Sequence, residues 1–151
     1  MKISKILGHC FSFSLLIVIG VALLPSCKSV KLSDADDQMA RGEYFDASKT
    51  YRKIYNRLTK REERPQRGEV AYKLATCYRM LNQSARASAA YQNAIRYEYP
   101  DSMAYLWLGR SLQADGKYAQ AATAYRTFLE WQPDNQFAKE GLKGCLMAQA
   151  A

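Results

Sequence analysis

Few residues of this 151-residue chain have the chemistry for catalysis or metal binding. The one histidine, His9, lies in a leading apolar segment, so the chain beyond it has no imidazole to serve as general base or metal ligand. Catalysis by a Ser-His or Cys-His pair is thereby excluded, and paired carboxylates in a cleft are the only ordinary alternative. The four cysteines are Cys10, Cys27, Cys77 and Cys145. Their spacing fits neither a zinc site nor a disulfide framework. Cys77 and Cys145 occupy equivalent places in a repeating pattern, with Ser111 between them, and are expected to be small packing residues with free thiols. The inventory implies no enzyme, no metal and no cofactor.

Cys27 has a different setting. Lys2 and Lys5 precede an apolar run from Ile6 to Leu24, and Leu24-Pro25-Ser26-Cys27 follows. A positive start, an apolar middle and a small residue before a cleavage point make a secretory signal peptide over residues 1–26. With the cysteine placed after the small residue, the segment resembles a bacterial lipoprotein lipobox, which implies acylation of Cys27 as the first mature residue. Acyl chains contribute about 0.8 kcal/mol per buried methylene, so several would hold the protein on a membrane durably. The alternative is an uncleaved anchor, since Ile6 to Leu24 is 19 residues and long enough to span. Either reading tethers the rest of the chain outside the cytoplasm through residues 27–33.

The stretch from Ser102 to Asn135 shows which elements must position any site. Tyr105, Leu108 and Leu112 recur at helical spacing until Asp115-Gly116 breaks the run; Tyr118, Ala121, Tyr125, Phe128 and Leu129 then repeat the spacing until Pro133. Two amphipathic helices joined by a tight turn are predicted, with Gly109 facing Ala121 across the hairpin. Thirty-four residues earlier the pattern returns as Leu74, Ala75, Tyr78, Asn82, Ala87, Tyr91 and Ile95; 34 residues later Leu142 and Leu146 fall on Leu108 and Leu112. Self-similarity at this period marks a helical solenoid.

The series Leu-Gly-x-x-Leu, then Gly-x-Tyr-x-x-Ala-x-x-x-Tyr and a closing Pro, resembles the tetratricopeptide repeat. The expectation is an all-α array of about three helical hairpins at 34–58, 68–100 and 102–134, with a capping helix at 136–148. Tyr51, Tyr78, Tyr91, Tyr105 and Tyr125 fall on core positions of the pattern, whereas Tyr72, Leu106 and Trp107 fit them less well. The resemblance implies a groove, lined by the first helix of each hairpin, that binds extended or helical peptide segments. By register it would show Tyr72, Lys73, Thr76 and Arg79, then Leu106, Arg110 and Gln113, then Glu140 and Met147. The alternative is that these residues face water and bind nothing specific. Binding of chaperone tails would need Lys and Asn one helical turn apart, but Lys73 is followed by Cys77 and no Asn lies on a groove helix.

The first hairpin departs from the pattern. Asp34, Asp36 and Asp37 interrupt the stripe of Leu32, Ala35 and Met39, while Gly42, Tyr44, Ala47, Tyr51, Ile54 and Tyr55 open a better helix. From Ala47 to Ala87 is 40 residues rather than 34, and Pro65 and Gly68 place the excess in a loop from Thr59 to Gly68. Arg57, Lys60, Arg61, Arg64 and Arg67 cluster there. They form either a solvated helix end or a contact surface for anionic lipid or glycan. The formal charge is +8, of which Lys2 and Lys5 lie in the leading segment, and this favours acidic partners or anionic surfaces; no nucleic-acid partner is implied.

The last helix, with Phe137, Ala138, Leu142 and Leu146, lacks a partner helix and contains Gly141 and Gly144. Leu146, Met147 and Ala148 make its edge a candidate for self-association or partner docking. The sequence around Gly141-Leu142-Lys143-Gly144-Cys145, with the repeats and the lipobox, resembles the amino-terminal part of certain Bacteroidota outer-membrane proteins of the OmpA family, some of them in type IX secretion. That resemblance implies a lipid-anchored scaffold on the periplasmic face of the outer membrane, binding protein partners of the envelope. The chain is either a shortened relative of those longer proteins or a fragment of one.

Overall fold

The computed structural model describes residues 30–150. The expected signal segment, the lipidation residue Cys27 and the start of the tether lie outside the described residues. Seven α-helices follow in order among the described residues: α1 (Leu32–Ala40), α2 (Tyr44–Arg57), α3 (Arg64–Met80), α4 (Ser84–Arg96), α5 (Met103–Ala114), α6 (Tyr118–Trp131) and α7 (Gln136–Ala150). None of them is long and apolar enough to cross a membrane.

Each helix packs mainly on its neighbours in sequence, and α5 also touches α7. The reason is the spacing of the apolar residues. Ala47, Tyr51 and Ile54 on α2, Ala87, Tyr91 and Ala94 on α4, and Ala121, Tyr125 and Phe128 on α6 each form one buried stripe. The sandwiched helices α3 and α5 bury more than one face, α5 through Ala104, Leu106, Leu108, Gly109, Ser111 and Leu112. One core lies between α1, α2 and α3 and another from α3 through α7, with the half-buried Tyr78 packed against both.

The turns repeat as regularly as the helices. Gly42, Asn82 and Gly116 sit at φ 77°, 56° and 73°. Behind them the N–H groups of Glu43, Gln83 and Lys117 donate to the carbonyls of Gln38, Tyr78 and Leu112, each at 2.9 Å. These are three copies of the Schellman turn, which satisfies helix-end carbonyls and needs a left-handed residue. A fourth, unexpected copy ends α4, where Glu98 takes φ 59° and the Tyr99 N–H reaches the Ala94 carbonyl at 3.1 Å.

Three expectations are corrected. The tether is shorter than residues 27–33, because α1 begins at Leu32. The region from Thr59 to Gly68 is mostly helical: a single 3-10 turn spans Arg61–Glu63, and α3 starts at Arg64 with Pro65 in its first turn. Proline fits there because its missing N–H would have no helical partner. Gly68 lies inside α3, and glycine stands there for close packing rather than for a turn, because a Cβ on it would lie 3.0 Å from the carbonyl oxygen of Tyr97. Finally, the nearest neighbours of Gly109 across the hairpin are ring atoms of Tyr125, at 2.9–3.1 Å from a Cβ built there, and not Ala121.

Candidate protein-interaction face

Three tyrosines at one register, Tyr51, Tyr91 and Tyr125, are buried, and each sends its hydroxyl between the helices to a polar group on the first helix of its own hairpin. Tyr51 donates to Asp36 Oδ1 at 2.6 Å, Tyr91 shares a hydrogen bond with the Thr76 hydroxyl at 3.2 Å, and Tyr125 donates to Gln113 Oε1 at 2.9 Å. Burial pushes the Tyr125 phenol up to about 12, so it stays a donor. These bonds position Asp36, Thr76 and Gln113 on the face formed by α1, α3, α5 and α7.

Toward the first hairpin that face is an ion network. Lys73 Nζ bonds Asp36 Oδ1 and Glu69 Oε1, both at 2.9 Å. Burial works against ionisation of Asp36, but the hydrogen bonds from Tyr51 and Lys73 outweigh it and lower its pKa. The same holds in mirror image for Lys73: burial disfavours its charge, and the bonds to Glu69 and Asp36 raise its pKa.

Toward the last hairpin the face changes character. The Arg79 guanidinium lies over the Trp107 ring at 4.2 Å, and the Arg110 guanidinium over the Phe137 ring at 5.0 Å. Trp107 and Phe137 lie 6.2 Å apart, which joins the two pairs into one row across α3, α5 and α7. Arg79 Nε also donates to the Tyr91 hydroxyl at 3.4 Å. Each cation–ring contact contributes about 0.5–1 kcal/mol at an exposed site and holds a long side chain in place while leaving its outer N–H groups free.

Tyr72, Lys73, Thr76, Arg79, Arg110 and Gln113 therefore meet on or beside one face. Leu106 does not: it is 3 % exposed in the core, because α5 packs on both α4 and α6. Tyr72 turns toward the stacked ring of Tyr99 at 4.4 Å rather than lying free. Glu140 is exposed on α7, and Met147 lies on the outer edge of that helix with Leu146. Sequence reasoning missed Trp107, Phe137 and Asp36. The signal for Trp107 was its poor fit to the core pattern, and for Asp36 its place fifteen residues before Tyr51, as Thr76 stands before Tyr91.

The basic cluster is divided. Arg67 points inward, its guanidinium 4.5 Å from the Tyr55 ring and 4.9 Å from the Tyr97 ring, with Nε buried and without a hydrogen-bond partner. Arg64 donates to the Arg96 carbonyl at 3.3 Å and pairs with Glu98 at 3.7 Å. Arg57, Lys60 and Arg61 remain exposed. Cys77 and Cys145 are buried and unpaired; burial pushes the Cys77 thiol up to about 11 and raises that of Cys145, which makes both poor nucleophiles.

The family model described as tetratricopeptide repeat matches residues 69–102 and 103–134. These two segments are tetratricopeptide repeats. The first repeat of Spaghetti (RPAP3) bound to an HSP90 peptide is similar, with a TM-score of 0.63 and 22% identity, over 79% of this chain and 90% of that one. The second tetratricopeptide domain of human RPAP3, in complex with an HSP70 peptide, gives 0.62 and 18% over 75% and 89%. The Sgt2 tetratricopeptide domain from Aspergillus fumigatus gives 0.59 and 22% over 76% and 74%. No curated protein sequence matches the chain. The fold is thus a tetratricopeptide array of helical hairpins, which extends through α1 and α2 on one side and α7 on the other.

Proposed function

We propose that the chain is a protein-interaction scaffold that binds an extended segment of a partner along the face of α1, α3, α5 and α7. The row Arg79–Trp107–Phe137–Arg110 carries this reading. It offers two guanidiniums, already ordered on aromatic rings, to a segment with carboxylates and apolar side chains, and such ordering lowers the entropy cost of binding. The solved arrays of similar fold hold chaperone peptides. Here the ligand is of another kind, because Lys73 already shares its ammonium between Asp36 and Glu69.

The tethering belongs to the same proposal. Acylated Cys27 would hold the array at the periplasmic face of the outer membrane, where it would serve an envelope assembly, in the manner of the OmpA-family and secretion-associated proteins its sequence resembles. Lipid-precursor labelling of Cys27→Ser tests the anchor: undiminished incorporation would refute it. For the face, a photo-crosslinking residue at Glu140, exposed on α7 one turn from Phe137, should capture a partner that the same residue at Arg126, on α6, does not. Equal capture at both positions, or none at Glu140, sinks the reading.

Binding of anionic lipid or glycan by the basic cluster is the weaker alternative, since Arg67 is turned inward between Tyr55 and Tyr97 and is lost to such a surface. Salt titration separates the two, because headgroup binding fades steeply with ionic strength and a stacked row less so.

A further inference from the structure

The outer side of α7 carries a shallow groove of about 440 Å³ lined by Lys139, Leu142, Lys143, Leu146, Met147 and Ala150. In the preceding hairpin the equivalent leucines, Leu108 and Leu112, are 7 % and 2 % exposed because α6 covers them. On α7 no described helix does so, and Leu146 and Met147 are 43 % and 64 % exposed.

The lining says what fits there and what does not. The covering helices of this chain, α2, α4 and α6, each bring a buried tyrosine whose hydroxyl needs a partner. On α7 the matching positions hold Met147 in place of Gln113 and Gly144 in place of Arg110, so such a hydroxyl would find at best a thioether. Lys143 stands where Gly109 admits the Tyr125 ring, and a side chain there blocks equally close packing. A fourth hairpin of the same kind, or a swapped hairpin helix from a second copy, therefore does not match this surface. A parallel α7-to-α7 pairing would bring the lysines of two copies together, and an antiparallel one would set Lys139 against the apolar end of the other helix, where it finds no counter-charge. The charged residues of the groove are Lys139 and Lys143 alone; Lys139 has a loose 3.5 Å pair with the fully exposed Asp134. Such an exposed pair is worth little and is easily exchanged.

We propose that this groove docks an amphipathic helix of a partner protein, with an apolar stripe against Leu142, Leu146 and Met147 and carboxylates beside the stripe that meet Lys139 and Lys143. Binding of a helix in such a groove is read through its apolar anchors, while the flanking charges set the choice of partner. The surface is separate from the Arg79–Trp107–Phe137–Arg110 row, and its use does not depend on that row.

The test uses the full chain and fluorescent peptides of roughly 18 residues, long enough to form a helix, with one leucine stripe flanked either by glutamates or by lysines. By fluorescence anisotropy the glutamate form should bind at least about tenfold more tightly than the lysine form. The double variant Lys139→Glu with Lys143→Glu should reverse that preference, Leu146→Glu should abolish binding of both peptides, and Arg126→Ala, on α6 and outside both surfaces, should change nothing. All these side chains are exposed, and circular dichroism checks that each variant keeps its helices. Failure of the glutamate peptide to bind, or a preference that survives the charge reversal, overturns the proposal. It is equally overturned if sedimentation shows a dimer that Leu146→Glu converts to monomer, because the occupant is then a second copy.

Discussion

Gly141 lies against the ring of Tyr125 so closely that a Cβ built on it would stand 2.5 Å from Cζ and 2.8 Å from the hydroxyl oxygen. Gly109 meets another part of the same ring, with its Cβ position 2.9 Å from Cδ1. The last helix can therefore seat on α6 only through a residue without a side chain. Glycine inside a helix costs about 1 kcal/mol relative to alanine, and here close packing of a tyrosine offsets that cost.

The two glycines of α7 should therefore respond in opposite ways to the same change. Gly141→Ala forces the ring or the helix to move and should destabilise the protein by about 1–3 kcal/mol. A Cβ at Gly144 meets only the end of the flexible Gln113 side chain, at 3.2 Å. Gly144→Ala should thus be neutral or gain up to about 1 kcal/mol of helix propensity. Thermal melts of the two variants decide, and similar losses in both would show that Gly144 is equally constrained.

The hairpins were legible in the sequence because a buried stripe and a left-handed turn residue recur at fixed intervals, as at Tyr91 and Asn82 or Tyr125 and Gly116. The region of Pro65 and Gly68 was misread because both residues mark turns when judged alone. Only the position of Tyr97, some thirty residues on, shows why a helix needs glycine there. The interaction face was half legible for a related reason. Register places Arg79 and Arg110, but whether Lys73 is free depends on Asp36 and Glu69, and whether Leu106 is exposed depends on α4 and α6. Pairings across hairpins are set by tertiary packing, which a repeat pattern does not encode.

Ser111 occupies the place that Cys77 and Cys145 hold in the neighbouring repeats, and its hydroxyl is buried with no hydrogen-bond partner. A buried polar group left unpaired costs about 1–3 kcal/mol. Ser111→Ala removes the hydroxyl and leaves only a small gap, so it should raise the melting temperature. A clear drop would mean that the hydroxyl contributes to stability.

Glu98 ends α4 at φ 59°, where the other three turns of this kind use Gly or Asn. The left-handed region costs a residue with a Cβ about 1–2 kcal/mol. The side chain of Glu98 is 85 % exposed and its 3.7 Å pair with Arg64 is loose, so losing it removes little. Glu98→Gly should therefore stabilise the protein by up to about 1 kcal/mol in denaturant titrations. An unchanged midpoint would show that flexibility gained by the unfolded chain cancels the relief of strain.

Asp36 ties the first helix to the rest of the array, because it accepts hydrogen bonds from both Tyr51 on α2 and Lys73 on α3. Burial opposes its ionisation, yet these bonds bring its pKa below the ordinary 3.8. A carboxylate with a lowered folded-state pKa adds stability that is fully present above its unfolded value and is lost as the pH falls through the folded one. Asp36→Asn removes that titration and leaves an amide that accepts only a neutral-strength bond. At pH 7 the variant should be less stable than the parent, and the gap should close as the pH drops below the ordinary carboxylate value. Glu69 still holds Lys73 in the variant, so α3 should keep its place and the loss should appear first as fraying of α1. Hydrogen exchange at pH 7 and at acidic pH measures both effects. A gap that stays constant across that range would mean Asp36 acts by shape alone, and exchange spread evenly over all seven helices would mean α1 is not separately held.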